Sequence, residues 1–200
     1  MQTIRSSAIV LNRINYKETD RIITVLTPDM GKLSLYVSGA RSMKSKLASS
    51  IELFSLSDLS FIKSKGELFK LISGRVIKNY SHIITDYARI EVGYEMIKII
   101  NKYTYENTES VYFKLLELGL DSLDNVSFDP ETIYLWFVLQ LIAISGHSPD
   151  LSYQVNGQKL SQDDRFSFNL DNMHFYADQS GQYLPKDIKF LRLVLAVDKI

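Results

Sequence analysis

The sequence predicts an α+β protein: a small five-stranded β-barrel over residues 1–80, followed by a helical part over residues 81–200. Three observations carry this. The spacing of apolar residues changes from about 2 to about 3.6 after Tyr80. Turn residues break the first part into five segments of strand length. The formal charge is zero overall but divides along the same line: residues 1–80 hold 13 basic and 6 acidic side chains, residues 81–150 hold 4 and 11, and the remainder holds 6 of each.

Ala8–Leu11 is a short β-rich run. Arg21–Thr27 is a second, closed by Pro28-Asp29-Met30-Gly31, a turn with its proline early and its glycine last. Lys32–Ser38 alternates cleanly, with Leu33, Leu35 and Val37 on one side and Ser34, Tyr36 and Ser38 on the other. Gly39 ends it. Ile51–Ile62 is long for one strand, and a bulge is expected where its apolar phase shifts between Leu53 and Leu59. Glu67–Lys78 completes the set, with Gly74 where a barrel strand coils.

Beyond Tyr80 the stripe Ile83, Tyr87, Ile90, Tyr94, Ile97 and Ile100 describes one amphipathic helix. Asn107 or Thr108 is placed to cap a second. Asp129-Pro130 opens a third, Glu131–Ser145, apolar nearly all round and suited to the centre of a bundle, with Gly146 as its C-terminal cap. On those stripes Tyr87, Tyr94 and Trp136 read as core. Residues 147–185 are mixed, with turn signals at Asn156-Gly157 and Ser180-Gly181, and Lys186 onward reads as helix again.

Composition excludes several classes. With 46% hydrophobic and 23% charged residues the chain is not a disordered or fibrous one. The longest apolar run, Ile133–Ile144, is too short for a membrane span of about 20 residues. The first residues show no secretory pattern, so a cytoplasmic protein is expected. The absence of cysteine excludes disulfides and thiolate-bound zinc. There is no GxGxxG, Walker loop, HExxH or GxSxG pattern, and His82, His147 and His174 are scattered. His147 beside Asp150 could pair an imidazole with a carboxylate. Asp163, Asp164, Asp171 and Asp178 lack the spacing of a calcium loop. No catalysis and no cofactor are expected.

A five-stranded barrel with a basic surface reads as an OB-fold, whose strand face and loops hold oligonucleotides. A mutual attraction between oppositely charged halves would produce the same charge pattern. Arg21, Lys32, Arg41, Lys44, Lys46, Lys63 and Lys65 are the candidates for phosphate contact, because Lys and Arg neutralise phosphates without reading sequence. The loop Arg41–Lys46 leads them, having three cations, interleaved serines and no carboxylate. Arg21 and Lys32 read equally as ion-pair partners of Glu18 or Asp20. Tyr36, on the polar face of its strand, is a candidate for base stacking, while Phe61 and Phe69 read as stacking residues or as core.

The run Glu18-Thr19-Asp20-Arg21-Ile22-Ile23-Thr24 through Gly31-Lys32, then Gly39-Ala40-Arg41, Lys44-Ser45-Lys46-Leu47 and Glu52-Leu53-Phe54, resembles the bacterial recombination mediator family RecO. The resemblance implies an OB-fold over 1–80 and a helical domain over 81–200 with a small ribbon-like insertion at about 148–184. It implies binding of single- and double-stranded DNA, strand annealing, and loading of RecA onto DNA coated by single-strand binding protein. The partners implied are RecR and the acidic C-terminal tail of single-strand binding protein; no membrane is implied. A general OB-fold module for nucleic acid or protein, without mediator activity, is the other reading. Where the family commonly has a CxxC pair, Tyr153 and Asn156 stand, so the ribbon is expected to be zinc-free and held by Phe166, Phe168, Phe175 and Tyr176.

Overall fold

A computed structural model describes residues 2–64, 66, 68–161 and 165–197. Five strands form a closed barrel: β1 (Thr3–Tyr16), β2 (Asp20–Thr27), β3 (Gly31–Val37), β4 (Ser55–Lys63) and β5 (Phe69–Asn79), in the order β1-β2-β3-β5-β4 with β4 closing on β1. Only the β3–β5 pairing is parallel. This is the OB-fold barrel, followed by helices, that the sequence predicts. β1 is far longer than its apolar run. Thr3–Ile9 pairs with β4 and Ile9–Tyr16 with β2, and the register shift between Val10 and Asn12 lets one strand serve both. Its polar ends face water, so apolar content alone does not reveal them.

Inward-facing Ala8, Val10, Ile23, Val25, Leu33, Leu35, Val37, Leu59, Phe61, Phe69 and Leu71 fill the barrel, with Ile51 and Ala40 in the same cluster. Each Val, Leu, Ile or Phe among them contributes about 1.5–3 kcal/mol of burial. Phe61 and Phe69 meet edge to face, 5.4 Å between centroids. They are core, which removes them as base-stacking candidates. Residues 51–62 are not one strand. Ser49–Ile51 is a 3-10 turn and Phe54, at φ +56°, redirects the chain before β4 starts at Ser55. Gly74 has no room for a side chain, since a Cβ there would lie 2.3 Å from Ser50 Oγ.

Strand gives way to helix after Tyr80. α1 (Tyr87–Tyr103) is capped by the Asp86 side chain and α2 spans Ser110–Asp124. The buried face of α1 is Arg89, Gly93, Met96, Ile97 and Ile100, rotated from the expected stripe, and Tyr87 and Tyr94 are exposed. The cause is Gly93, against which the Phe54 ring packs so closely that a Cβ would come within 2.7 Å of it. A buried glycine and a buried arginine are invisible to a hydrophobic-stripe argument. Nor does Asn107 or Thr108 cap α2. Asn107 N–H donates to Met30 O, and Thr108 Oγ1 donates to Tyr105 O and accepts from Tyr105 N–H. This turn locks onto the β2–β3 hairpin, where Lys32 N–H donates to Tyr105 O, and Gly31 at φ +67° would collide with it if it carried a Cβ.

Arg89 is buried, and its guanidinium donates to the carbonyls of Leu123, Asn125, Val126 and Phe128 at 2.6–3.2 Å. It thereby fastens the link from α2 to α3 (Pro130–Ile144), which the Asp129 carboxylate caps through Thr132 N–H at 2.8 Å. No residue of α3 from Thr132 to Ile144 is exposed, and Trp136 is buried as expected.

The chain forms two compact units, Met1–Ile133 and Tyr134–Ile200. In the second, β6 (Phe166–Asn169) and β7 (His174–Ala177) form a hairpin and α4 spans Pro185–Ala196. Their core is Leu151, Leu160, Phe166, Phe175 and Ile188, with Phe168, Tyr183, Leu191 and Leu195 against it. Tyr176 is exposed, so it is not one of the residues holding the ribbon. Among the described residues no helix is long and apolar enough to cross a membrane.

Candidate nucleic-acid interface

Strand directions bring two connections to one end, the β1–β2 turn (residues 17–19) and the long segment after β3, whereas β4, antiparallel to β1, finishes toward the other end. Arg41 N–H donates to Thr19 O at 2.7 Å, which joins the two. Arg41, Lys44 and Lys46 lie on the second connection, and Lys63 ends β4, paired with Phe69 where Phe69 meets Leu35 of β3; all four are exposed. Among the described residues none of these four forms an ion pair. Lys65 lies outside the described residues.

The outer sheet face leading to this end was hidden in the sequence. Register places Ile14, Ile22, Tyr36 and Lys70 in one row across β1, β2, β3 and β5. Ile14 is 56% and Tyr16 42% exposed, and the Tyr16 and Tyr36 rings meet edge to face at 6.1 Å. Lys17 Nζ lies 5.4 Å from the Tyr16 centroid. Partly exposed aromatic and apolar groups with cations beside them suit a nucleotide strand, whose bases stack while its phosphates meet Lys and Arg. Tyr16, Lys17 and Lys70 were missed because only the pairing register shows them to be neighbours of Tyr36.

Asp20 organises this end. Its carboxylate, 8% exposed, accepts from the Tyr36 hydroxyl at 2.6 Å and from Gly39 N–H at 2.8 Å. The Tyr36 bond, then the Gly39 bond, hold its carboxyl below the ordinary value. A lowered carboxyl strengthens the folded state above the unfolded value, near 4, and the contribution fades as pH falls further. D20A, which removes both acceptor oxygens, is expected to release Tyr36 and Gly39 and loosen the loop at neutral pH. Faster amide hydrogen exchange at Gly39 and its neighbours would record it, while unchanged exchange would rule out the tether.

Two candidates sit elsewhere. Lys32 is at the opposite end of β3. Its half-buried ammonium donates to Asn101 O in the last turn of α1 at 2.6 Å, and burial lowers its pKa. A cation at a helix C-terminus stabilises the exposed carbonyls. Arg21 lies 3.7 Å from Glu52, which also pairs with Arg13, so its partner is neither Glu18 nor Asp20. Both residues therefore have structural partners, and the loop-end cations do not.

No group of three or more potential ligands could hold a metal among the described residues. Asp150 faces His174 at 3.8 Å rather than His147, whose Nδ1 lies 3.3 Å from Ser145 Oγ. Asp163 and Asp164 lie outside the described residues. A zinc ion does not fit the ribbon. Thiolates are absent, and the turn at Tyr153–Asn156 is closed by Gln154 N–H to Gln158 O at 2.8 Å and Gln158 N–H to Asn156 Oδ1 at 3.0 Å.

Residues 1–80 match the family described as Recombination protein O N terminal. The chain is 32% identical to the DNA repair protein RecO of Acetivibrio thermocellus over 155 residues, 76% of this chain and 61% of that protein. It is 32% identical to the Streptomyces avermitilis protein of that name over 160 residues, 76% and 64% of the two chains. With the Listeria monocytogenes protein, also a DNA repair protein RecO, identity is 27% over 195 residues, 94% and 76%. The matched part thus spans roughly three-fifths to three-quarters of these relatives' lengths.

Proposed function

Because the chain belongs to the RecO family, we propose that it binds DNA through the loop end of its barrel and acts in DNA repair as a recombination mediator without catalysis. The observation that supports this most is the loop carrying Arg41, Lys44 and Lys46, exposed and without ion-pair partners among the described residues, tied through Arg41 N–H to the β1–β2 turn that follows Tyr16 of the Tyr16–Tyr36 pair. Contacts of this kind grip the backbone of any strand. They serve annealing, in which two strands of arbitrary sequence must be held and then released as a duplex. On this reading the protein works in the cytoplasm with RecR and the acidic tail of single-strand binding protein, and helps load RecA.

The test is annealing of complementary oligonucleotides, with and without single-strand binding protein. Acceleration in both cases is the expected result; none in either would leave only a general OB-fold module. Binding should also be electrostatic. With about four to six phosphates neutralised, log affinity should fall against log salt with a slope of roughly −3 to −4. A titration showing no salt dependence between 50 and 200 mM, the range over which such contacts are normally lost, contradicts the proposal.

A further inference from the structure

The outer face of β4 carries a second cationic feature. A groove of about 440 Å³ is lined by Arg5, Asp58, Ser60, Ser73, Gly74 and Arg75. Register explains the set: Arg5, Ser60 and Ser73 form one row across β1, β4 and β5, and Asp58 pairs with Arg75 beside it. Asp58 accepts from Arg5 Nε at 2.9 and 3.0 Å and lies 4.0 Å from Arg75. The carboxylate side chain is only 15% exposed, but the two arginines are 69% and 78% exposed. Arg5 holds the Asp58 carboxyl below its ordinary value, so it stays ionised. The groove therefore presents two guanidinium groups against one sunken carboxylate, with two hydroxyls between them. That is an anion site of net charge +1. Guanidinium groups retain N–H donors beyond those facing Asp58, and their fork matches phosphate oxygens.

Strand β5 links the groove to the row that holds Tyr36. Lys70 stands in register with Tyr36 on one side and Ile62 on the other, and β5 then runs on to Ser73 and Arg75. At about 3.3 Å per residue, Lys70 and Arg75 are about 17 Å apart along the strand. We propose that this groove holds backbone phosphates of the DNA strand after it leaves the loop end, so that the strand's path continues around the barrel over β5 and β4. The proposal rests on the reading of the previous subsection. Asp58 sets the strength of the site: it anchors both arginines and offsets half their charge.

The experiment compares the parent, R5Q/R75Q and D58N on oligothymidylates of about 6 and about 20 nucleotides, within and beyond the usual span of one OB-fold. The short strand should bind R5Q/R75Q within twofold of the parent. The long strand should bind it about ten- to thirty-fold more weakly at 0.1 M salt, with a salt slope shallower by about 1.4. D58N should bind the long strand at least threefold tighter than the parent, a gain that misfolding cannot mimic. Equal affinity of R5Q/R75Q and parent for the long strand overturns the proposal, as does an equal loss on both lengths. So does a polyglutamate peptide that needs Arg5 and Arg75 when the long strand does not; an acidic protein would then be the occupant. A parent that binds neither oligonucleotide defeats the underlying DNA-binding reading instead.

Discussion

Replacing Arg89 by Met is expected to be the most damaging single change in the first compact unit. The guanidinium donates to four carbonyls of the segment Leu123–Phe128, and Met fills similar volume with no donor. Carbonyls left unpaired away from water cost free energy comparable to lost hydrogen bonds, and removing one partner of a buried charged network costs about 3–5 kcal/mol. For a chain of this size that lowers the thermal midpoint by about 6–20 °C. R89K keeps the charge, but one ammonium cannot fork to four carbonyls, so it should fall between parent and R89M. Calorimetry of the three proteins decides the matter: a midpoint of R89M within 2 °C of the parent would mean that water replaces the guanidinium at no cost.

The second large effect concerns DNA. R41A/K44A/K46A removes three exposed cations that have no ion-pair partners among the described residues, so the fold should scarcely respond. If each contacts one phosphate, single-stranded DNA affinity at 0.1 M salt should fall about a hundred-fold and the salt slope should shrink by about 2. K98A/K102A/K114A removes the same formal charge from the exposed faces of α1 and α2, where Lys98 and Lys114 already pair with Glu95 and Glu117. It should bind nearly as the parent does. Fluorescence anisotropy at two salt concentrations separates the two variants. The reverse order of losses would move the interface to the helices.

Much of the barrel was legible because alternation and turn chemistry act locally. Leu33, Leu35 and Val37 must share a face whatever surrounds them, and all three are in the core. The third helix was legible for the same reason, since Asp129 and Pro130 are cap chemistry that needs no tertiary partner. What sequence reasoning missed depends on contacts distant in the chain. Tyr94 turned outward because Gly93 lets the ring of Phe54 pack closely, a contact 39 residues away in sequence. Lys32 looked like a phosphate ligand and proved to be bound to Asn101, 69 residues on. Tyr36 was legible as an aromatic on the polar face of its strand, but Tyr16 and Lys70 beside it needed the register, and Asp20 beneath it needed the fold of the loop. The motif residues Asp20, Gly31, Lys32, Gly39 and Glu52 all make contacts that shape the barrel or join it to the helices. A motif therefore identifies a family more readily than it identifies the atoms that touch a ligand.

The turn over residues 104–108 imposes an order in time. A barrel is topologically finished once β5 has been made, yet the outer edge of the β2–β3 hairpin meets its partners Tyr105 and Asn107 only afterwards, and Arg89 waits for Phe128. A ribosome adding about 5–20 residues per second needs about 2.5–10 s to make the roughly fifty residues between Tyr80 and Phe128. During that interval the nascent chain presents an unpaired hairpin edge, and the Phe54 ring has yet to find Gly93. Chaperones that shield the emerging chain have their work concentrated in those seconds, and codons that slow translation just after Tyr80 would prolong the exposure.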